Sequence, residues 1–330
     1  MTASSPELTT ARLGAAALLD VSVVIPLYNK ANYVARAVRS ALDQTLPPRE
    51  VVVVDDGSTD GGTDIVERLA ADDACVRLIR QANAGPSAAR NRGIAEARGK
   101  WIAFLDADDM LLPRHLETAA EMAACEPAAA VLAAAYREVP EGDHQRVAAA
   151  LAEERAAVTT GRVSDFFERW QQGAFFFTSS VLVRRDQLEQ MQPVFPLGEK
   201  LGEDHDVWFR LVERVPVAWT SKVGALYTVG LDQSLTGVGR VLDPLPAYQR
   251  LKARAESDDF PKSQRASALN LVATHWLNIA RVRADAGDAA GARSLILAPI
   301  SLRRPLYWAR TALVVATTAI AGRPVRLGRL

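Results

Sequence analysis

Short runs of β-branched and other apolar residues alternate with polar turns and helical segments through the first part of the chain. Four apolar runs, at residues 21–26, 51–54, 76–79 and 101–105, predict buried strands. Residues 31–46, 63–70, 86–98 and 113–125 predict the helices that follow them. This alternation predicts an α/β fold, with a mostly parallel central sheet that has helices on both faces.

The second half of the chain is less regular and becomes helical toward its end. Residues 164–171 and 203–214 predict helices, and residues 178–183 predict a strand. From about residue 242 the pattern is helical, with a predicted antiparallel pair at 266–286 and 289–297. We therefore expect a loose leader at 1–20, an α/β domain at 21–235 and a C-terminal helical region at 236–330.

Composition bears on the cellular location of the protein more than on its function. The 330 residues carry a formal net charge of zero, so overall charge does not favour nucleic-acid binding. Cys75 and Cys125 are too few for a disulfide framework or a zinc site, which favours a reducing, cytoplasmic location. We expect no signal peptide at the start, and the apolar stretch at 311–322 is too short to span a bilayer.

The C-terminal region has a one-sided charge. No acidic residue follows Asp288, whereas seven arginines do, and Leu306, Tyr307 and Trp308 lie among them. Two interpretations stay open: a solvated tail, or a basic surface that rests on anionic lipid at the cytoplasmic face of the inner membrane. The arginines are Arg293, Arg303, Arg304, Arg310, Arg323, Arg326 and Arg329.

Polar clusters follow three of the predicted strands, where ligands bind in parallel sheets. The cluster from Asp106 to Asp109 concentrates negative charge that a divalent cation, Mg²⁺ or Mn²⁺, would share with a substrate diphosphate. The alternative is a solvated acidic turn that caps the next helix. Asp56 in the second cluster could accept a hydrogen bond from uracil or ribose, but capping by Ser58, Thr59 or Asp60 also explains that turn.

Three further candidates have ordinary structural alternatives. Pro26 and Tyr28 could face a nucleobase, or form a plain strand-to-helix turn. Arg90 could face phosphate, although an arginine in a first helical turn is more often on the surface. Asp204 lies in an acidic helix start that could supply a catalytic base, or simply complement the helix dipole.

Other nucleotide-binding classes lack their motifs here. The turn after the first strand has no G-x-G-x-x-G, as a dinucleotide-binding fold requires, and the chain has no G-x-x-x-x-G-K-[ST] loop of a P-loop NTPase. A catalytically inactive nucleotide-sugar-binding or scaffold protein remains an alternative.

Five segments in order resemble the family 2 glycosyltransferases with the GT-A fold: VSVVIPLYN, VVVVDDGSTD, NAGPSAARNRGI, WIAFLDADD and GEDHDVWFRL. The resemblance covers residues 20–230. It implies an inverting transfer of one sugar from a nucleotide-diphosphate sugar, a UDP-sugar first of all, to a saccharide or lipid-linked acceptor in surface polysaccharide or glycolipid synthesis.

The resemblance also implies roles for single residues. Pro26 and Tyr28 would line the nucleobase pocket, and Asp56 would bond the base. Asp106 and Asp108 would form the D-x-D pair, with Asp108 the direct ligand of Mn²⁺ or Mg²⁺ and Asp109 able to share that work. Asp204 would be the general base. The chain lacks the Q-x-x-R-W motif and membrane spans of polymerising members, which implies single transfers.

Overall fold

The computed structural model describes residues 19–152, 159–231 and 241–321, so nearly all of the predicted leader at 1–20 lies outside the described residues. The strands are β1 (Val21–Leu27), β2 (Glu50–Asp55), β3 (Val76–Arg80), β4 (Trp101–Phe104), β5 (Met110–Leu111), β6 (Val131–Pro140), β7 (Thr160–Arg162), β8 (Val181–Arg184) and β9 (Val217–Val229).

Twelve helices lie within these ranges, together with 3₁₀ turns at Thr178–Ser180 and Pro299–Arg303. The helices are α1 (Ala31–Leu42), α2 (Gly62–Asp72), α3 (Pro86–Glu96), α4 (His115–Cys125), α5 (His144–Ala152), α6 (Phe166–Gln171), α7 (Arg185–Glu189), α8 (Glu203–Val212), α9 (Pro246–Ala255), α10 (Lys262–Asp285), α11 (Ala289–Leu297) and α12 (Pro305–Ala321). No helix in the described part of the chain combines the length and apolar character needed to cross a membrane.

The chain divides into two compact units. The first comprises residues up to Val163 with Phe175–Glu199 and Arg214–Asp232, and it contains the whole sheet. The second comprises Ser164–Ala174, Lys200–Glu213 and the residues from Gln233 onward. Helices α6 and α8 are therefore grouped with the C-terminal helices. The expected domain boundary near residue 235 stays a prediction.

The predicted α/β fold is confirmed, with a nine-stranded sheet in the order β3-β2-β1-β4-β8-β6-β9-β5 and β7 paired to β9. The strands from β3 to β4 are parallel, as their apolar sequences predict. Beyond β4 the sheet is mixed, because β8 is antiparallel to both β4 and β6, and β9 is parallel to β6. The parallel character is thus concentrated in the first four predicted strands.

Side chains of β2 alternate between two helical layers. Val53 belongs to the same core cluster as Val38 of α1, whereas Val54 belongs to a cluster with Ala89 of α3. Successive residues of a strand point to opposite faces of the sheet. Helices therefore cover both faces in this part of the sheet, as the sequence predicts.

The second unit is built from aromatic and aliphatic contacts among helices. Phe166 and Trp170 of α6 lie against Phe209 of α8, with ring centroids 6.4 and 6.0 Å apart, and Tyr248 of α9 lies 5.2 Å from Phe209. The predicted helices at 266–286 and 289–297 are found as α10 and α11.

Candidate active site

Three polar clusters lie at one edge of the sheet. Strands β2, β1 and β4 are parallel neighbours, so their carboxyl ends point the same way. The turns that contain Tyr28, Asp56 and Asp106 follow these three strands. The sheet therefore brings together the clusters that the sequence places far apart.

Hydrogen bonds tie the turn after β1 to the turn after β2. The Asn29 N–H donates to Ser58 Oγ at 3.1 Å, and the Thr59 N–H donates to Asn29 Oδ1 at 2.8 Å. Asn29 adopts a left-handed φ of 50°, which asparagine tolerates better than most residues. Asp60 Oδ2 accepts the N–H of Ala31, the first residue of α1, at 2.7 Å. A hydrogen bond to the first residue of α1 thus gives Asp60 a structural role.

Tyr28 and Pro26 are differently exposed at the end of β1. The Tyr28 side chain is 49% exposed, while Pro26 is half-buried and pairs with Val54 of β2. An exposed aromatic ring beside a strand end offers a face for stacking. Contact of these residues with a nucleobase stays a prediction.

Asp56 is buried and holds the turn that leads into α3. Its Oδ1 accepts hydrogen bonds from Gln81 Nε2 at 2.7 Å and from the Ala84 N–H at 2.9 Å, and its Oδ2 accepts the Gly85 N–H at 2.8 Å. An ionised carboxylate offers about four lone-pair sites. Protein donors occupy three of them, so Asp56 has a positioning role, and its hydrogen bond to a base stays a prediction.

The carboxylates of Asp106 and Asp108 each contact a cation from elsewhere in the chain. Arg90 Nη2 lies 2.7 Å from Asp106 Oδ1, and Lys30 Nζ lies 2.8 Å from Asp108 Oδ2. The Asp106 and Asp108 side chains remain 28% and 20% exposed. Helix α4 begins at His115 without a side-chain cap, so the interpretation of this cluster as a helix cap is wrong.

Arg90 is buried against the acidic cluster and does not lie on the surface. It is only 6% exposed, and its guanidinium lies 5.3 Å from the Phe195 ring as well as against Asp106. Asn91 fixes that loop by donating to the Phe195 carbonyl and accepting its N–H, both at 2.8 Å. A surface position for Arg90 is therefore wrong, whereas direct phosphate contact stays a prediction.

Asp109 is the buried member of the cluster. Its Oδ2 accepts Ser179 Oγ–H at 2.6 Å, and its Oδ1 accepts the Thr228 N–H at 3.0 Å. Ser179 Oγ also accepts the Asp106 N–H at 3.0 Å. Burial, with the charges of Asp106 and Asp108, raises the pKa of Asp109 well above its usual value. These contacts fit a positioning role for Asp109.

Several site residues were missed in the sequence. Arg36 Nη2 donates to the Asp108 carbonyl at 2.5 Å and to Thr228 Oγ1 at 3.0 Å. Lys30 follows the turn after β1, the strand beside β4, so neighbouring strands could have suggested its contact with Asp108. Ser179 lies in the 3₁₀ turn before β8, and Thr228 lies in β9. The sequence predicted a strand at 178–183 but did not indicate where β8 and β9 lie in the sheet.

Comparison with known proteins fixes the family. The family described as "Glycosyl transferase family 2" matches residues 22–191, just over half of the chain. The chain belongs to glycosyl transferase family 2. The matched residues include the turns after β1, β2 and β4, with Asp56, Asp106 and Asp108.

Similar proteins match only part of this chain, and this chain spans little more than half of their own lengths or less. An uncharacterized glycosyltransferase of Escherichia coli, YibD, is 46% identical over 103 residues, which are 31% of this chain and 30% of that protein. An uncharacterized glycosyltransferase of Nostoc sp. is 32% identical over 188 residues, 56% of this chain and 57% of that protein. The chondroitin synthase of Pasteurella multocida is 41% identical over 97 residues, 29% of this chain and 10% of that enzyme.

Solved structures extend the likeness in fold. Residues 1–349 of S. aureus TarS, solved in complex with UDP-GlcNAc, match with a TM-score of 0.65 at 18% identity, covering 94% of this chain and 95% of that one. The same protein in complex with UDP matches with a TM-score of 0.63 at 19% identity, covering 94% of each chain. At this identity the match supports the GT-A fold alone.

The acidic pair of this family 2 protein suits a divalent cation shared with a ligand. Two partly exposed carboxylates at a strand end provide the oxygen ligands that Mg²⁺ and Mn²⁺ prefer, while substrate phosphates commonly complete such sites. No group of three or more metal-binding side chains is assembled within residues 19–152, 159–231 and 241–321. Asp106 and Asp108 therefore fit a site that a diphosphate would complete.

Asp204 lies beyond the residues matched to the family, in the second unit. It is in the first turn of α8, after Gly202 with its left-handed φ of 75°, and is partly exposed. Its Oδ1 accepts the His205 N–H at 2.8 Å. The His205 ring lies 5.2 Å from that of Trp170, in the aromatic core of this unit. The role of Asp204 as a base stays a prediction.

Proposed function

We propose that this protein is an inverting glycosyltransferase that moves one sugar from a nucleotide-diphosphate sugar to an acceptor hydroxyl. The observation that carries the proposal is the partly exposed carboxylate pair Asp106 and Asp108, presented beside the turns after β1 and β2. The TarS structures with UDP-GlcNAc and UDP share this fold, which supports a UDP-linked donor.

The nucleotide end of the donor is assigned to the turns after β1 and β2. The exposed ring of Tyr28, with Pro26, would contact the base, and the remaining acceptor position on Asp56 would take its N–H. Arg90 would add positive charge near the phosphates through its place beside Asp106. This arrangement separates base recognition from the acidic cluster.

The diphosphate end is assigned to the acidic pair. Asp108 would be the direct ligand of Mn²⁺ or Mg²⁺, with Asp106 beside it. The bound cation would neutralise the charge that develops on the departing diphosphate. Asp109, held by Ser179 and the Thr228 N–H, fixes the backbone that presents both carboxylates.

Transfer then takes place as a single in-line displacement. The acceptor oxygen bonds to the anomeric carbon while its proton passes to the Asp204 carboxylate. The bond from that carbon to the diphosphate oxygen breaks, and its electron pair leaves with the nucleoside diphosphate. One displacement inverts the configuration, and a positioned base contributes about 10²–10⁴-fold.

The setting is proposed from composition and relatives. The unpaired thiols of Cys75 and Cys125 support a reducing, cytoplasmic location. The relative named chondroitin synthase, from Pasteurella multocida, supports a saccharide acceptor, free or lipid-linked, in surface polysaccharide or glycolipid synthesis.

A donor-hydrolysis screen tests the proposal. Nucleotide sugars are incubated with the protein and Mn²⁺, Mg²⁺ or EDTA, and released nucleoside diphosphate is measured. We expect cation-dependent release that falls at least about 10²-fold in Asp108→Asn, because a ligand to the leaving group is lost. The exposed Asp64 supplies a matched control, Asp64→Asn, that keeps wild-type release.

Two outcomes would contradict this assignment. Calorimetric binding of UDP without release of nucleoside diphosphate from any donor would favour the catalytically inactive binding protein. Equal UDP affinity with Mn²⁺ and with EDTA, unchanged in Asp108→Asn, would remove the cation from the proposal.

A further inference from the structure

Exposed leucines are concentrated near the C-terminal end of the described chain. Among the described residues, seven large apolar side chains are exposed, and four of them lie between residues 297 and 313: Leu297, Leu302, Leu306 and Leu313. Leu306 is 84% exposed and Leu313 is 54% exposed. Scattered exposed leucines need no explanation, but a cluster on one element marks an interaction surface.

The exposed apolar residues of α12 share one face of the helix. Leu306, Ala309, Leu313 and Ala316 are all exposed and follow one another by three or four residues. Residues at this spacing lie one above the other along a helix. We name these four residues the leucine stripe, which extends about 15 Å at 1.5 Å per residue.

The other side of α12 packs within its own unit. Val315 is buried in a core cluster with Leu277 of α10 and Ile296 of α11, against which Trp308 packs. Trp308 Nε1 donates to the Ile296 carbonyl at 2.9 Å. One apolar side of α12 is therefore buried within this unit, and the leucine stripe on the other side remains exposed to solvent.

Of the three apolar residues that the sequence places among the arginines, only Leu306 faces outward. Tyr307 Oη donates to Asn278 Oδ1, and the Arg281 guanidinium lies 4.6 Å from its ring. Trp308 packs on the core cluster of the same unit. The outward surface is consequently aliphatic.

Positive charge borders the leucine stripe. Arg310 is exposed between Leu306 and Leu313 along the helix, and Arg303 is exposed in the turn before it. No acidic residue follows Asp288 in the chain. The surface thus combines exposed aliphatic side chains with two exposed arginines, the composition of helices that lie at a membrane interface.

We propose that the leucine stripe, with Arg303 and Arg310, rests on an anionic lipid surface with α12 along the membrane plane. Burial of the leucines in the interface supplies apolar free energy, while each arginine near an anionic surface strengthens binding roughly fivefold. Both contributions are needed because a single weak signal gives marginal, reversible attachment. The proposal does not depend on the donor or the reaction.

Charge favours lipid over a second copy of this chain. In a symmetric dimer the same patch contacts itself. Contact through the leucine stripe would place Arg303 and Arg310 of both copies at one interface, which adds like charges there. An anionic lipid surface meets the same arginines with opposite charge.

Vesicle flotation of the full chain tests the proposal. Binding is measured with vesicles of phosphatidylcholine alone and of phosphatidylcholine with 30% phosphatidylglycerol, at low and high salt. We expect binding to the anionic vesicles, about tenfold weaker or more in Leu306→Gln/Leu313→Gln. Arg303→Gln/Arg310→Gln should lower binding at low salt and flatten its salt dependence.

The matched control is Leu197→Gln, because Leu197 is a similarly exposed leucine, at 61%, in the first unit. It should bind vesicles as the wild type does. The proposal is overturned if the wild type ignores anionic vesicles at low salt, or if the leucine double variant binds as well as Leu197→Gln. Light scattering that shows a wild-type dimer, lost in the leucine double variant without any vesicle binding, would assign the surface to a second copy instead.

Discussion

Asp206→Asn should destabilise the second unit, although Asp206 lies only two residues from the candidate base. Asp206 is 3% exposed, and its carboxylate lies 2.8 Å from Arg210 Nε, 2.9 Å from Arg250 Nε and 3.6 Å from Arg254 Nη1. Glu213 also pairs with Arg254, at 2.9 Å. Asparagine keeps the shape of Asp206 but removes the carboxylate charge that these three guanidinium groups contact.

The magnitude follows from burial and screening. Removing one partner of a buried ion pair costs about 3–5 kcal/mol. The arginine side chains here are 22–38% exposed, so water screens part of the unbalanced charge, and we expect a loss of about 2–4 kcal/mol. Urea denaturation, with a slope of about 2 kcal/mol per molar, should show this as a midpoint lower by about 1–2 M.

A matched control separates burial from charge removal. Asp186 pairs with Arg184, and the two side chains are 55% and 40% exposed, so Asp186→Asn should cost less than about 1 kcal/mol. A loss below about 0.5 kcal/mol in Asp206→Asn would refute the buried-pair reasoning. Asp204→Asn should instead leave the midpoint nearly unchanged and reduce sugar transfer at least about 10²-fold. Full activity in Asp204→Asn would show that this residue is not the base.

Two further predictions concern the first unit. Burial lowers the pKa of His115 from 6.5 to about 4, so the unfolded chain binds a proton at higher pH than the folded protein does. The free energy of unfolding should therefore fall by about 3 kcal/mol between pH 6.5 and 4. Urea titrations at several pH values should show a smaller loss in His115→Leu. Ser179→Ala should cost about 1–3 kcal/mol and weaken Mn²⁺-dependent UDP binding, because Asp109 and the Asp106 N–H lose a shared partner. Identical pH profiles, or wild-type stability and UDP affinity, would contradict the respective prediction.

The sequence predicted those strands in which the local residue pattern and the burial in the folded protein both favour a strand. The runs at 21–26 and 51–54 are β-branched, apolar and flanked by polar turns, and they became the central strands β1 and β2. Strand β6 gave no such signal, because its first half is rich in alanine, which favours helices in isolation. Burial between β8 and β9 overrides that propensity.

The candidate site was predictable in its carboxylates but not in their partners. Asp106 and Asp108 stand out because they closely follow a buried strand, whereas Arg90 reaches them from α3 and Lys30 from the residue before α1. For the same reason Asp206 gave no sign of being buried. One of its arginines, Arg250, lies 44 residues further along the chain.

Burial divides the acidic cluster into two kinds of carboxylate, and this bears on what the cluster is for. A purely solvated turn would leave its carboxylates in water, whereas Asp109 is buried. Burial of a carboxylate is costly unless hydrogen bonds offset the loss of hydration. Ser179 and the Thr228 N–H donate those hydrogen bonds to Asp109. Ser179 Oγ also accepts the Asp106 N–H and so fixes the backbone of Asp106. Such support costs stability where no geometry has to be kept, but a site needs it when Asp106 and Asp108 must be held in one arrangement. The buried third carboxylate therefore favours a ligand-binding cluster over a surface turn.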